Sequence, residues 1–116
     1  MAKNAQIDYD YENDVLYLYK GDIVRDSLQI ENFVIDFSHD NNVVGVEIID
    51  ASNILGKLLQ MDISKECLRK IENAEISVYH GKELIYILLV IRLVIDHESM
   101  DVRIPVPAPA AISMHA

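Results

Sequence analysis

Apolar and polar residues alternate most regularly along FVIDFSHDNNVVGVEIIDAS, residues 33–52, and this pattern predicts a β-hairpin running into a helix. His39-Asp40-Asn41-Asn42 supplies a four-residue turn, because Asn and Asp tolerate left-handed backbone and hydrogen-bond their own main chain. Ser38 then faces Val43, Phe37 faces Val44, Ile35 faces Val46 and Phe33 faces Ile48, which sets three apolar pairs on one face. Val34 with Glu47 and Asp36 with Gly45 fall on the other face. A slip of one residue would turn every apolar side chain to the wrong side, so pattern and turn chemistry support the same register. Asp50 or Ser52 next stands where a side-chain oxygen can cap a short helix carrying Ile54, Leu55, Leu58 and Leu59.

The segments before and after this hairpin extend or cover it. Ile7, Tyr9 and Tyr11 alternate with Asp8, Asp10 and Glu12, the period of a half-buried strand. Asn13-Asp14 turns into a strand over residues 15–19, and Lys20-Gly21-Asp22 turns again into a weaker strand over residues 23–30. Between Ala51 and Asn73 the period becomes helical, with Gly56 weakening the first helix and Asp62 or Ser64 capping a second one that carries Leu68 and Ile71. Strands return from Ala74. A two-residue loop at Gly81-Lys82 sets Val78 opposite Ile85 and Ile76 opposite Ile87. A turn centred on Glu98-Ser99 sets Ile95 opposite Val102, Leu93 opposite Ile104 and Ile91 opposite Val106.

The fold class is therefore α+β: an antiparallel β-meander of about five strands, one or two short helices, then a three-stranded antiparallel segment. It forms one domain over residues 1–106, with Pro105, Pro107 and Pro109 ending the last strand and starting a flexible tail over residues 107–116. The long strand from Leu84 also carries Tyr86, Leu88, Val90 and Val94 on its second face, interrupted by Arg92. A strand apolar on both sides is usually covered on both, and a chain this small has little left to cover it. A second copy of the chain supplies the missing layer, so a homodimer is expected.

Composition narrows the function. The chain has 116 residues and a formal net charge of -9, which argues against nucleic acid as a partner and suits a basic protein. Its lone cysteine, Cys67, cannot form an intramolecular disulfide, and residues 1–14 lack the apolar core of a signal peptide. The most apolar run, Leu84 to Ile95, is 12 residues long and contains Arg92, well short of a membrane-spanning helix. These features point to a cytoplasmic protein without a membrane partner.

Several residues carry candidate chemistry. Asp36, Ser38, Asp40, Asn42 and Glu47 match the ligand spacing of an EF-hand loop, but Asn41 stands where that loop needs glycine and the flanks read as strands, so no metal is assigned. Asp8, Asp10, Glu12 and Asp14 read as a solvated strand face. The histidines at 39, 80, 97 and 115 fall in turns or the tail without a paired spacing. Cys67 reads as a half-buried structural residue, although Lys65, Arg69 and Lys70 nearby would favour its thiolate. Arg92 needs a carboxylate, such as Asp36, Glu47 or one from a partner subunit, because an unpaired buried charge costs several kcal/mol. No motif calls for a cofactor.

Y-D-Y-E-N-D-V-L-Y-L near the start, with V-I-D-F-S-H-D-N-N-V-V-G-V-E-I-I-D-A-S further on, resembles the small prokaryotic family called domain of unknown function 2283. The resemblance runs from about Tyr9 to Ser52, implies a compact β-meander and helix, and brings no activity or site residues with it. The functional expectation is a small acidic, homodimeric, non-enzymatic binding or accessory protein, an antitoxin-like neutraliser of a basic partner being one concrete form. The alternative is a small-ligand- or metal-dependent enzyme with its site at the subunit interface. Its candidate residues are Tyr17, Asp36, Glu47, Arg92 and the turn histidines.

Overall fold

A computed structural model describes residues 2–109, with side chains for 4–106. Among these residues the chain forms strands β1 (Ala2–Asn4), β2 (Gln6–Asp10), β3 (Val15–Tyr19), β4 (Asp26–Ile30), β5 (Phe33–Phe37) and β6 (Val43–Ile49). Helices α1 (Ala51–Leu59) and α2 (Lys65–Arg69) follow, then β7 (Asn73–His80), β8 (Leu84–Ile95) and β9 (Glu98–Pro109). The α+β architecture is the expected one: a five-stranded antiparallel sheet, two short helices and a second antiparallel sheet.

The first sheet has the order β2-β3-β6-β5-β4. The chain after β3 runs to the far edge, and β4, β5 and β6 return as hairpins until β6 docks on β3. Two apolar rows explain this closure. Ile7, Leu18, Val46, Ile35 and Leu28 align across all five strands, and so do Tyr9, Leu16, Ile48, Phe33 and Ile30. Leu16, Leu18, Ile35, Val46 and Ile48 are fully buried. A sequential order would have put the polar β4 beside β3 and left Val46 and Ile48 on an edge.

The β5–β6 hairpin keeps the expected pairs Phe33 with Ile48, Val34 with Glu47, Ile35 with Val46 and Asp36 with Gly45. Near the turn the register differs: Phe37 faces Val43 instead of Val44, through a bulge that also removes the expected Ser38–Val43 pair. Ser38 N–H instead donates to the Asn42 carbonyl (2.9 Å), Asn41 takes left-handed backbone (φ 61°), and the Val44 carbonyl accepts Lys20 N–H at 2.8 Å. Strand β4 is shorter than expected, beginning at Asp26, while the Arg25 guanidinium braces the turn by donating to Asn41 Oδ1 at 2.6 Å.

The second sheet has the order β1-β7-β8-β9, three strands as expected plus β1. Ala5 N–H donates to the Ala74 carbonyl (2.9 Å) where the chain crosses from this sheet into the first. Both later registers differ from expectation by an even number of residues. Ile76 faces Leu89 and Val78 faces Ile87, because Gly81 N–H closes a wider loop on the Leu84 carbonyl. Asp96 and His97, both left-handed (φ 52° and 67°), make a two-residue turn, so Ile91 faces Val102, Leu89 faces Ile104 and Ile87 faces Val106. Even shifts leave every side chain on its expected face, so the core residues are unchanged. Strand β9 runs on to Pro109, three residues into the expected tail, and residues 110–116 lie outside the described ones. An edge strand accepts proline at alternate positions, because its outward nitrogens need no hydrogen to donate.

Inner faces of both sheets, with Ala51 and Leu55 of α1 and Leu68 of α2, form one buried cluster. The expected cap for α1 is corrected. Asp50 is left-handed and its side chain caps nothing. The capping carboxylate comes from Asp14, in the β2–β3 turn: it accepts Ser52 N–H at 3.1 Å, Ser52 Oγ–H at 2.6 Å and Tyr9 O–H at 2.7 Å. Ser52 is thus a donor to the cap. Ser64 caps α2 as expected, accepting Cys67 N–H at 3.1 Å. Lys65 and Arg69 of α2 lie over the Tyr11 ring at 5.5 and 5.0 Å, holding that helix against the same turn. Among the described residues no helix is long and apolar enough to cross a membrane.

Burial alone would raise the Asp14 carboxyl, but hydrogen bonds from Ser52 and Tyr9 outweigh it and hold the group below the ordinary aspartate value of 3.8. A carboxylate lowered in the folded state contributes stability that is complete above the ordinary value and fades as pH falls through the lowered one. Urea unfolding of Asp14→Ala should accordingly show a loss of about 2–4 kcal/mol near neutral pH, with Ser52→Ala losing about 1–2 kcal/mol. The gap between wild type and Asp14→Ala should narrow below pH ~4. A gap that stays constant with pH would mean that the carboxylate charge is not what matters.

Candidate functional site

The outer face of the first sheet is polar where the inner face is apolar, and its rows follow from the same register. Asp8, Tyr17, Glu47 and Val34 align across β2, β3, β6 and β5. Tyr19, Gly45, Asp36 and Ser27 align in the next row, across β3, β6, β5 and β4. The Tyr17 ring leans across the place a side chain would fill at Gly45: a Cβ there would lie 2.8 Å from the Tyr17 hydroxyl and 3.1 Å from Asp36 Oδ2. Tyr19 stacks on Tyr17 with ring centres 4.8 Å apart. Glycine therefore lets the phenol reach Asp36, and the hydroxyl donates to Oδ2 at 2.7 Å.

Asp36 is buried at 8% exposure, and Ser27 Oγ–H donates to its other oxygen at 2.6 Å. Two hydroxyl donors thus satisfy both oxygens of the carboxylate. Burial, and then the Asp36 and Glu47 charges, push the Tyr17 hydroxyl well above the ordinary tyrosine value, so this phenol is a fixed donor and not a base. Asp8 and Asp10 of β2 form the opposite wall. The side-chain amide and backbone N–H of Asn13 hold the Asp10 carboxyl below its ordinary value. Together these residues enclose a cleft of about 450 Å³ whose lining, among the described residues, includes four carboxylates and no lysine or arginine. No three His, Cys, Asp or Glu side chains among the described residues stand close enough to share a metal ion. The carboxylates are spread along the walls, a spacing suited to an extended organic cation that donates several hydrogen bonds.

Of the residues singled out from sequence, Tyr17, Asp36 and Glu47 come together here. Arg92 does not. It lies exposed on the second sheet, where it donates to its cross-strand neighbour Asp101 at 2.9 and 3.2 Å, and not to Asp36 or Glu47. That pairing raises the guanidinium and lowers Asp101, and both groups are solvated enough for the pair to count for little in stability. Asp8 and Asp10 were missed as site residues. Their alternation with Ile7 and Tyr9 did signal a shared outer face, but not that Asp8 would stand beside Tyr17.

The EF-hand-like window is split by the hairpin: Asp36 is committed to Tyr17 and Ser27, and Glu47 sits beside Val34 away from the turn. His39, His80 and His97 belong to three separate hairpin ends, and His115 lies outside the described residues. Burial raises the Cys67 thiol, contrary to activation by its basic neighbours, since Arg69 pairs with Glu66 at 3.0 Å and both Lys65 and Arg69 face Tyr11.

Comparison with known proteins agrees with the sequence resemblance. Residues 6–52 match the model of a family described as a protein of unknown function, DUF2283. The matched segment spans β2 through the first turn of α1, which includes Tyr9, Asp14 and Ser52 and every wall of the cleft. An uncharacterised protein of Methanocaldococcus jannaschii is 45% identical over 51 residues, covering 43% of this chain and 44% of that protein. A protein of Methanosarcina mazei named as a putative hypoxanthine phosphoribosyltransferase is 30% identical over 80 residues, covering 68% of this chain and 60% of its own length. The chain thus spans about half the length of these curated relatives. No solved structure matches.

Two measurements follow from the geometry. Gly45→Ala should displace the Tyr17 ring and cost about 1–3 kcal/mol in urea unfolding, a cost that should largely disappear in a Tyr17→Ala background, where the ring that the added methyl meets is gone. In an ultraviolet titration of the native protein, Tyr9 and Tyr17 should remain un-ionised through the range in which ordinary tyrosines titrate, because burial and the neighbouring Asp14 and Asp36 carboxylates oppose loss of their protons. Six tyrosines titrating together would contradict that environment.

Proposed function

We propose that this chain is a non-enzymatic binding protein of the cytoplasm whose acidic cleft receives a cationic side chain, arginine above all, from a basic protein partner. The observation that carries the reading is the convergence of Asp8, Asp10, Asp36 and Glu47 around Tyr17 in one cleft. A guanidinium offers five donors in a plane, enough to bridge Glu47 to a carboxylate of β2 while its face lies on the Tyr17 ring. The net charge of -9 steers such a partner in from a distance. An antitoxin-like role, masking a basic surface of another protein, is one form this binding takes.

The enzymatic alternative draws less support. Tyr17 is held protonated, and Asp36 already accepts from Tyr17 and Ser27. The activity in the name of the Methanosarcina mazei relative would require an anionic phosphoribosyl donor, which an acid-walled cleft repels. Turnover of hypoxanthine with such a donor is therefore not expected.

Fluorescence anisotropy with a labelled arginine-rich peptide tests the reading. The wild type should bind with an affinity that falls steeply with salt, and Glu47→Gln and Asp8→Asn should each weaken binding by roughly 5- to 30-fold without altering the unfolding midpoint much. Equal binding of an uncharged peptide of the same length, or variants that bind as the wild type does, would overturn it.

A further inference from the structure

The outer face of the second sheet is apolar at one end and charged in the middle. The first row across β7, β8 and β9 begins with Tyr79 and Tyr86, which are about half exposed, and Leu84 lies beside them at 38%. The next row is Ser77, Leu88 and Pro105, and the third is Glu75, Val90 and Arg103. Glu75 and Arg103 therefore stand on opposite sides of Val90, two strands apart. Among the described residues neither closes a salt bridge within its own protomer.

From this arrangement we infer that the face binds a second copy of the chain about a two-fold axis running along β8. Such an axis lays β7 of one protomer over β9 of the other. Glu75 then meets the partner's Arg103, Arg103 meets the partner's Glu75, and Leu88 and Val90 pack on themselves at the centre. The Glu75 and Arg103 charges are complementary in this arrangement, and Arg92, next along β8, approaches the partner's Arg92 with each guanidinium already held by its own Asp101. An axis across the strands through the same row would instead put Glu75 over the partner's Glu75, and like charges in contact are costly. The face has the size for it: three strands ~4.8 Å apart and ~3.4 Å long per residue give roughly 500 Å² in projection, at the small end for a specific interface. The dimer is accordingly a dissociable one.

The same arrangement leaves both acidic clefts open. The two sheets share their inner faces in one core, so their outer faces point apart. A dimer through the second sheet carries its two clefts on opposite outer surfaces, and a partner with two basic sites would be held by both.

Sedimentation velocity across the micromolar range tests the inference with the full chain. The wild type should pass from monomer to dimer as concentration rises. Glu75→Arg or Arg103→Glu alone should weaken association at least ~10-fold, and the double exchange should restore it to within ~3-fold, since the pairs re-form with reversed sign. Tyr86→Lys, at an exposed position, serves as a second disruption that does not depend on the charge pairs. A monomer at every concentration would overturn the inference. So would a dimer indifferent to all these changes, or a double exchange no better than the singles.

Discussion

The carboxylate of Asp14 is the point on which the arrangement of sheet and helix depends. It is taken out of water at the junction between the β2–β3 turn and the start of α1, where an unsatisfied charge would be costly, and it is stable there because the Tyr9 and Ser52 hydroxyls and the Ser52 amide all donate to it. The backbone of the same residue accepts Ala51 N–H at 2.8 Å. One residue in left-handed backbone thus ties an edge hairpin to a helix 38 positions later. The segment that matches the family model, residues 6–52, contains all three members of this network, Tyr9, Asp14 and Ser52.

Asp36 repeats the same chemistry to a different end. Each aspartate is nearly buried and each accepts from one tyrosine and one serine hydroxyl: Tyr9 and Ser52 for Asp14, Tyr17 and Ser27 for Asp36. Asp14 also takes a helix amide and lies between two elements, so its hydrogen-bonding capacity is used within the fold. Asp36 lines an open cleft beside Glu47, facing the carboxylates of β2. The first locks the edge hairpin in place, and the second gains neighbouring carboxylates because the hairpin is locked there. Gly45 is the remaining requirement, since any side chain there would push the Tyr17 ring off Asp36.

What could be seen in the sequence divides along physical lines. Alternation alone placed Ile35 against Val46 and Phe33 against Ile48, and parity then placed Asp36 and Glu47 on one outer face. Left-handed backbone at Asn41 fits the turn chemistry read from residues 39–42, but at Asp96 and His97 it was not visible: they form a tight turn without a glycine, and the β8–β9 register moved by four residues as a result. The bulge beside Phe37 leaves the Val44 carbonyl to accept Lys20 N–H from the end of β3, a partner distant in sequence that no local rule contains. Capping rules offered Asp50 or Ser52 because they search the adjacent residues, whereas the cap came from Asp14. The same limitation hid Asp8 and Asp10, whose role depends on β3 lying between β2 and β6.

The central claim is that this fold builds an acid-walled cleft for a cationic side chain. It is tested most directly by following the backbone amide resonances of the protein while arginine amide is added. The account predicts that the resonances that move cluster at Asp8, Asp10, Tyr17, Asp36, Gly45 and Glu47, and that they stop moving at saturation. Shifts spread evenly over the surface charges, or confined to the second sheet, would contradict it.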